Sequence, residues 1–312
     1  METGLIGILT ALLVASVRMA TPLTLAGLGE TFSEKSGILN IGLEGIMLSG
    51  AFFSFISAYY SQSILLGLIG GCLGGVFISM IHGYLSVRLN VDQTIAGLAL
   101  NFLALGLTSF FFLMAFGRTT NLPECPVVHR IAIPLLSDIP IIGPAFFNQD
   151  PFIYFTFLLV ALCYIVLHRT EWGINIQATG EHPKAADAAG ISVSGTRYRA
   201  ALLNGIFGGL GGSYLTLAML GFFMENITSG KGYIALVVVI LGRRHPVGVL
   251  MAAILVGAAE ALQFRMQTMG FGIPSQVFNM FPYVITVLVL LFSIGKNRTP
   301  AALGEPYLRN NR

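Results

Sequence analysis

Charge is scarce in this sequence. Only 10% of its 312 residues are Asp, Glu, Lys or Arg, against 55% that are hydrophobic, and the mean hydropathy is +0.80. An ordinary soluble domain carries about a quarter charged residues, so the composition excludes one and requires an integral membrane protein. The net charge is +3, and Lys and Arg come at most in pairs, which leaves no basic patch for a nucleic-acid partner. Cysteine is scarce too. Cys72, Cys125 and Cys163 are odd in number, and the first and last fall within apolar runs, so neither a disulfide framework nor a zinc site is expected. The phosphate-cradling pattern G-x-x-x-x-G-K-[ST] is missing: Gly230-Lys231-Gly232 has neither the upstream glycine nor the hydroxyl residue, so ATP hydrolysis is not expected of this chain. H-E-x-x-H and G-x-S-x-G are absent as well, and His82, His129, His168, His182 and His245 are scattered. No catalytic residue, metal ligand or enzymatic activity is therefore assigned. Met1 to Gly29 has no charged leader region and no break before the next apolar run, so no cleavable signal is expected.

What the chain has instead is apolar runs: Leu5–Leu28, Ile38–Tyr60, Ile64–Val87, Thr94–Phe116, Phe152–Leu167, Ala200–Phe222, Ile234–Leu241, Val247–Phe264 and Pro274–Ile294. Most match the roughly 17 to 25 residues that a bilayer core requires. They do not alternate at period 2, so they read as helices and not as strands of an outer-membrane barrel. The expected fold is all-α, one polytopic transmembrane bundle over residues 1–312 with about eight to ten membrane segments, some of them broken or re-entrant. Gly70, Gly71, Gly74 and Gly75, and again Gly205, Gly208, Gly209, Gly211 and Gly212, fall where close helix contact would need them.

Charge position orients the bundle. Arg169, Lys184, Arg197 and Arg199 mark the loop 170–199, and Lys296, Arg298, Arg309 and Arg312 mark the tail 295–312, so the positive-inside rule puts both in the cytoplasm. The loop from Gly117 to Asp150, with Arg118 and Arg130 against Glu124, Asp138 and Asp150, suits the outside. An even number of crossings must separate the two cytoplasmic segments. The stretch Ile234–Phe264 must therefore turn back on itself, and Gly242-Arg243-Arg244-His245-Pro246 is where it can. The N-terminal side stays open. Met1 is outside if Ile38–Tyr60 crosses once and inside if that run breaks near Ser49-Gly50; a faint echo of Ser36-Gly37 and Gly50 in Ser229-Gly230 and Gly242 favours the break as the trace of a duplication.

Within the loop 170–199 a short helix is written. Pro183 stands at a first helical position, Lys184-Ala185-Ala186-Asp187-Ala188-Ala189 follows with high helix propensity, and Gly190 stands where a left-handed residue would end it. A two-turn, alanine-rich helix does not hold itself up in water, so it needs a host surface. Deep in the bundle lies a modest polar set: Asn40 and Glu44, read as four apart on one helical face, then Asn101, Asn204 and Glu260, with Glu44 and Glu260 the only deep acids in view. Arg18 is a candidate partner for Glu44, and Asn101 and Asn204 suit interhelical hydrogen bonds as well as they suit a ligand. Amides, a carboxylate and abundant aromatic rings would also fit a hydroxylated ligand with a planar base, which makes Asn40, Glu44, Asn101 and Asn204 candidate substrate-pathway residues.

Three stretches carry a resemblance. GETFSEKSGILNIGLEGIMLSGAF (Gly29–Phe52), ATGEHPKAADAAGI (Ala178–Ile191) and TSGKGYIALVVVILGRRHPVGVL (Thr228–Leu250) resemble, in the same order, the N-terminal, coupling and C-terminal signatures of ABC importer permeases of the ribose and branched-chain amino acid group. SEKSGILNIGLEG with GYIAL looks most like the nucleoside branch, whose substrate is delivered by a basic-membrane-protein-type lipoprotein; ribose, other simple-sugar and branched-chain amino acid permeases share the framework. The resemblance implies a multi-pass permease subunit of the bacterial plasma membrane, surrounded by lipid and working with a separate ABC ATPase that binds ATP and Mg. It also implies a second, homologous permease subunit, expected in a heterodimer, and an external substrate-binding lipoprotein. It makes Glu181, His182, Pro183, Lys184, Ala185, Ala186, Asp187, Ala189 and Gly190 the ATPase-coupling residues, with Ala186 on the docking face. His182 replaces an asparagine common at that place in the motif. An ion-coupled secondary transporter is the competing class; it would need coupling carboxylates of which Glu44 and Glu260 are the candidates.

Overall fold

The computed structural model describes residues 5–117, 122–269, 274–293 and 299–308. Met1 and the charges Arg118, Lys296, Arg298, Arg309 and Arg312, which helped to orient the sequence, lie outside the described residues. Polar caps in the loops start the helices. Ser63 accepts from the Leu66 amide ahead of α3 (Ile64–Val87), Asp92 from Ile95 ahead of α4 (Gln93–Phe116), and Asp150 from Ile153 ahead of α5 (Pro151–Arg169). Each supplies an acceptor to a helix end that otherwise has none. With α1 (Leu5–Lys35), α8 (Val193–Tyr214, continued by a π turn over Leu215–Leu220) and α10 (Pro246–Thr268), these make six helices long and apolar enough to cross a membrane. The chain is an all-α, multi-pass membrane protein. The loop 122–150 adds a two-residue antiparallel pairing, β1 (Ile131–Ala132) with β2 (Asn148–Gln149).

Of the remaining apolar helices, α2 (Leu43–Ser61) is as long as α5, at 19 residues, and the others are shorter. α2 follows α1 through an irregular segment at Ser36–Gly42, and it runs unbroken through Ser49 and Gly50. The break expected near Ser49-Gly50 is therefore absent; Gly50 instead meets α8, where a Cβ would come 2.5 Å from the Gly209 Cα. The glycine there serves close approach, not a bend. α9 (Lys231–Leu241) has only 11 residues, about 16 Å of helix against a hydrocarbon core of about 30 Å. It turns back at Gly242–His245 into α10, with Arg243 and Arg244 both at positive φ. That is the reversal required by the charge argument. Ser275–Asn279 (α11) and Phe281–Ser293 (α12) follow.

α8 is the hub. It packs against α1, α2 and α3, and its glycines set the spacing: a Cβ on Gly75 of α3 would lie 2.7 Å from the Gly209 Cα. Between α5 and α8 the chain is more helical than its polarity suggests. Thr170, whose hydroxyl accepts from the Gly173 amide, opens α6 (Glu171–Glu181), and α7 (Pro183–Ala188) follows.

Candidate functional site

Two helix starts meet inside the bundle, and each is capped by a side chain from another helix. At the start of α2 the Asn101 Oδ1, from α4, accepts from the Gly45 amide at 2.8 Å. At the start of α9 the Glu44 carboxylate, from α2, accepts from the Gly230 amide at 2.8 Å, the Gly232 amide at 2.6 Å and the Thr228 hydroxyl at 2.5 Å. A carboxylate on the positive end of a helix satisfies orphan amides and the helix dipole together. The Asn101 Nδ2 completes the junction by donating to the Ile41 carbonyl at 3.0 Å and the Tyr233 hydroxyl at 2.8 Å. A Cβ on Gly232 would strike the Glu44 backbone, which is why this contact is so close.

The candidate pathway residues thus divide. Glu44 and Asn101 share the junction. Asn40 does not lie on α2: it precedes the helix, and its Oδ1 accepts from the Gly42 amide at 2.9 Å as a local turn. Its own amide donates to Glu30 at 3.1 Å, and the Asn204 Nδ2 donates to the other Glu30 oxygen at 2.7 Å. Arg18 does not pair with Glu44. It donates to the Ala218 carbonyl at 3.2 Å and lies within electrostatic reach of Asp150, whose carboxyl burial pushes above the usual range. Nor are Glu44 and Glu260 the only deep acids, since Glu30 and Glu34 are fully buried near the end of α1. Both lie past Leu28, where the apolar run stops. The helix continues through Gly29 to Lys35, since the residues after Gly29 include no proline and no further glycine.

The end of the bundle that carries α7 holds a second polar cluster. Arg244, from the α9–α10 turn, forms an ion pair with Glu34. His245 beside it packs at a tilt against His168, with ring centres 4.9 Å apart, and burial, His168 and Lys35 together push its imidazole below the usual range. In α7 itself the side chains divide by face. Lys184, Ala185, Ala188 and Ala189 are exposed and Asp187 is half-buried, whereas Ala186 is only 4% exposed. Ala186 therefore faces the protein, contrary to its expected place on the docking surface. Glu181 ends α6, exposed, and accepts from the Ala301 amide at 3.3 Å; His182 is exposed between α6 and α7, and Pro183 opens α7. Gly190, at φ +86°, ends it, with its amide bonded to the Asp187 carbonyl and the Ile191 amide to that of Ala186. That pair of bonds is the Schellman closure, which glycine permits without strain.

Beside the start of α9 opens a cavity of about 350 Å³, bounded by α10 and by residues 279–283. Lys231 and Glu260 form an ion pair at 2.8 Å on its wall. Gln263, whose Nε2 donates to the Asn279 Oδ1 at 2.8 Å, and the rings of Phe264 and Tyr283 line it too. Of these the sequence had singled out only Glu260. The others needed the folding-back of α9 to bring three separate stretches together.

Known proteins resemble the chain along its whole length. A guanosine ABC transporter permease of Bacillus subtilis, NupQ, is 37% identical over 322 residues, covering 99% of each chain. A nucleoside ABC transporter permease of Lactococcus lactis, NupC, is 34% identical, covering 93% of this chain and 94% of its own. A Haloferax volcanii permease named for glucose, TsgC13, is 33% identical over 96% of this chain and 97% of its own. The sequence model of the branched-chain amino acid transport system permease component matches residues 12–290, so the chain belongs to that family of ABC transporter permeases.

Proposed function

We propose that this permease carries nucleosides across the bacterial plasma membrane, with substrate handed to it by an external lipoprotein and energy supplied by a separate ATPase that binds ATP and Mg. The observation that carries the substrate is the pair of full-length relatives named for guanosine and nucleosides. The cavity beside α9 supports it, because its size, amides and rings suit a base with a ribose. A second reading, a simple sugar, has the glucose-named relative in its favour.

The coupling reading assigns α7 to the ATPase. A six-residue helix with an alanine face turned outward has too little of its own to fold on, and a groove on a partner would hold it. The acids and bases around it, Glu181, His182, Lys184 and Asp187, would contact the groove's rim, and Ala185 and Ala189 would allow close approach. Relatives of this kind imply a second permease subunit, so the working unit contains a second bundle. Approach of two ATPases on binding ATP would move both coupling helices and rock the bundles, exposing the cavity to one side and then the other. In this scheme α9 is the lever, since one end lines the cavity and the other carries the Arg244–Glu34 pair.

The test is ATPase activity of the assembled transporter in lipid, with its binding protein, titrated with nucleosides, pentoses, glucose and branched-chain amino acids. Stimulation by nucleosides is the expected outcome. Stimulation by sugars alone would replace the substrate while leaving the architecture in place.

A further inference from the structure

We propose that the cavity at the start of α9 is where the translocated substrate rests, and that the Lys231–Glu260 pair reads the edge of a 6-oxopurine base, favouring guanosine and inosine over adenosine. The proposal rests on the nucleoside reading above and adds to it a site and a base preference. Its ground is an ion pair in a place where the fold does not require one. Both side chains are largely withdrawn from solvent, at 17% and 7% exposure. A buried pair loses much of its attraction to desolvation, and two apolar side chains would hold α9 to α10 as well. A carboxylate beside an ammonium on a cavity wall does, however, present an acceptor next to a donor.

That order is complementary to a guanine edge, which offers the donors N1–H and N2–H₂ next to the acceptor O6. The carboxylate would take both donors and the ammonium would donate to O6; carboxylates accept from base amines and lysine donates to O6 in the general run of base recognition. Hypoxanthine keeps O6 and N1–H. Adenine, held in the same orientation by its ribose, reverses donor and acceptor and sets its amino group against Lys231. Among the described residues the Gln263 Oε1 and the Asn279 Nδ2 make no hydrogen bond, leaving one acceptor and one donor for ribose hydroxyls. The rings of Phe264 and Tyr283, both exposed at the cavity, give area for the base plane.

The experiment is calorimetric titration of the complete permease–ATPase complex in nanodiscs, without binding protein, using guanosine, inosine, adenosine and glucose. The wild type is expected to bind the first two about tenfold or more tightly than the third. Glu260→Gln leaves Lys231 without its charge partner, so the deciding variant is the double replacement Lys231→Met with Glu260→Leu, which substitutes apolar volume for the pair. It should assemble and melt like wild type while guanosine binding falls about tenfold or more, toward that of adenosine. Equal binding of all three nucleosides by the wild type, or an unchanged guanosine preference in the double variant, overturns the proposal while sparing the nucleoside reading. If glucose binds and no nucleoside does, the reading falls and the proposal with it. Absence of binding by any of these compounds also overturns the site.

Discussion

At the scale of single residues, Glu44 is the side chain on which most converges. Its carboxylate serves three donors at the start of the short α9 while sitting in the first turn of α2, and it is 7% exposed. Removing it leaves the Gly230 and Gly232 amides and the Thr228 hydroxyl without an acceptor in a place where water is a poor substitute. Hydrogen bonds to a charged group contribute about 1.5–3 kcal/mol each in net terms, and orphaned buried donors cost about as much. Glu44→Ala is therefore expected to destabilise the permease by on the order of 3 kcal/mol or more, read as a lower melting temperature in detergent, with Glu44→Gln in between because it keeps one acceptor. A transport defect without any loss of thermal stability or assembly would show instead that Glu44 acts on substrate. The sequence allowed both roles. It gave the carboxylate's depth but not its partners, because the partners lie 184 to 188 positions away.

At the scale of elements, α7 is the sharpest case. Pro183 at its start, the alanines within it and Gly190 at its end are local signals, and local signals were enough to draw the helix nearly to its last residue. Which side of it faces outward was not local. Ala186 is turned inward and Ala185 outward, so the two alanines make a matched pair of probes. Ala185→Arg is expected to leave insertion and melting temperature unchanged and to cut substrate-stimulated ATPase activity about tenfold or more, as one added charge in a docking groove would. Ala186→Arg should reduce the yield of folded permease, since it forces a long cation into packed protein. Equal ATPase activity in wild type and Ala185→Arg would remove α7 from the coupling surface. The same contrast explains what else was legible. The reversal at Gly242–His245 was announced by glycine, charge and proline, and the membrane helices by their length. The start of α2 at Leu43 was not announced, because Ser36–Gly42 is as apolar as a helix and is held irregular by Glu30, Gln93 and Asn101 from elsewhere. α6 was missed for the opposite reason: its residues are polar enough to read as loop, yet it lies against the end of α1, where Gly180 touches the Lys35 carbonyl.

At the scale of the molecule, what matters is how the cavity end and the α7 end are joined. α9 offers one connection, and the C-terminal residues 299–308 bind the other end into a unit. The Ala302 amide donates to the Gly180 carbonyl at 2.9 Å and the Gly304 amide to the Gly37 carbonyl at 3.0 Å, so the tail straps α6 to the irregular segment before α2. Arg197 of α8 sits beneath the strap, 1% exposed. Its Nη1 donates to the Glu305 carbonyl at 3.0 Å and its Nε to the Ser36 carbonyl at 3.3 Å. One guanidinium thus fastens the tail, the α1–α2 connection and α8 together, and its planar fork suits two carbonyls from separate segments better than a lysine would. A displacement of α7 would reach α1 and α2 through this fastening. Arg197→Lys is accordingly expected to free the tail without unfolding the bundle: limited proteolysis should cut within 299–308 faster than in wild type, and transport per ATP hydrolysed should fall while basal hydrolysis persists. A variant whose tail is cleaved faster but whose transport per ATP matches wild type would confine the strap to stability and leave the joining of the cavity end to the α7 end to α9.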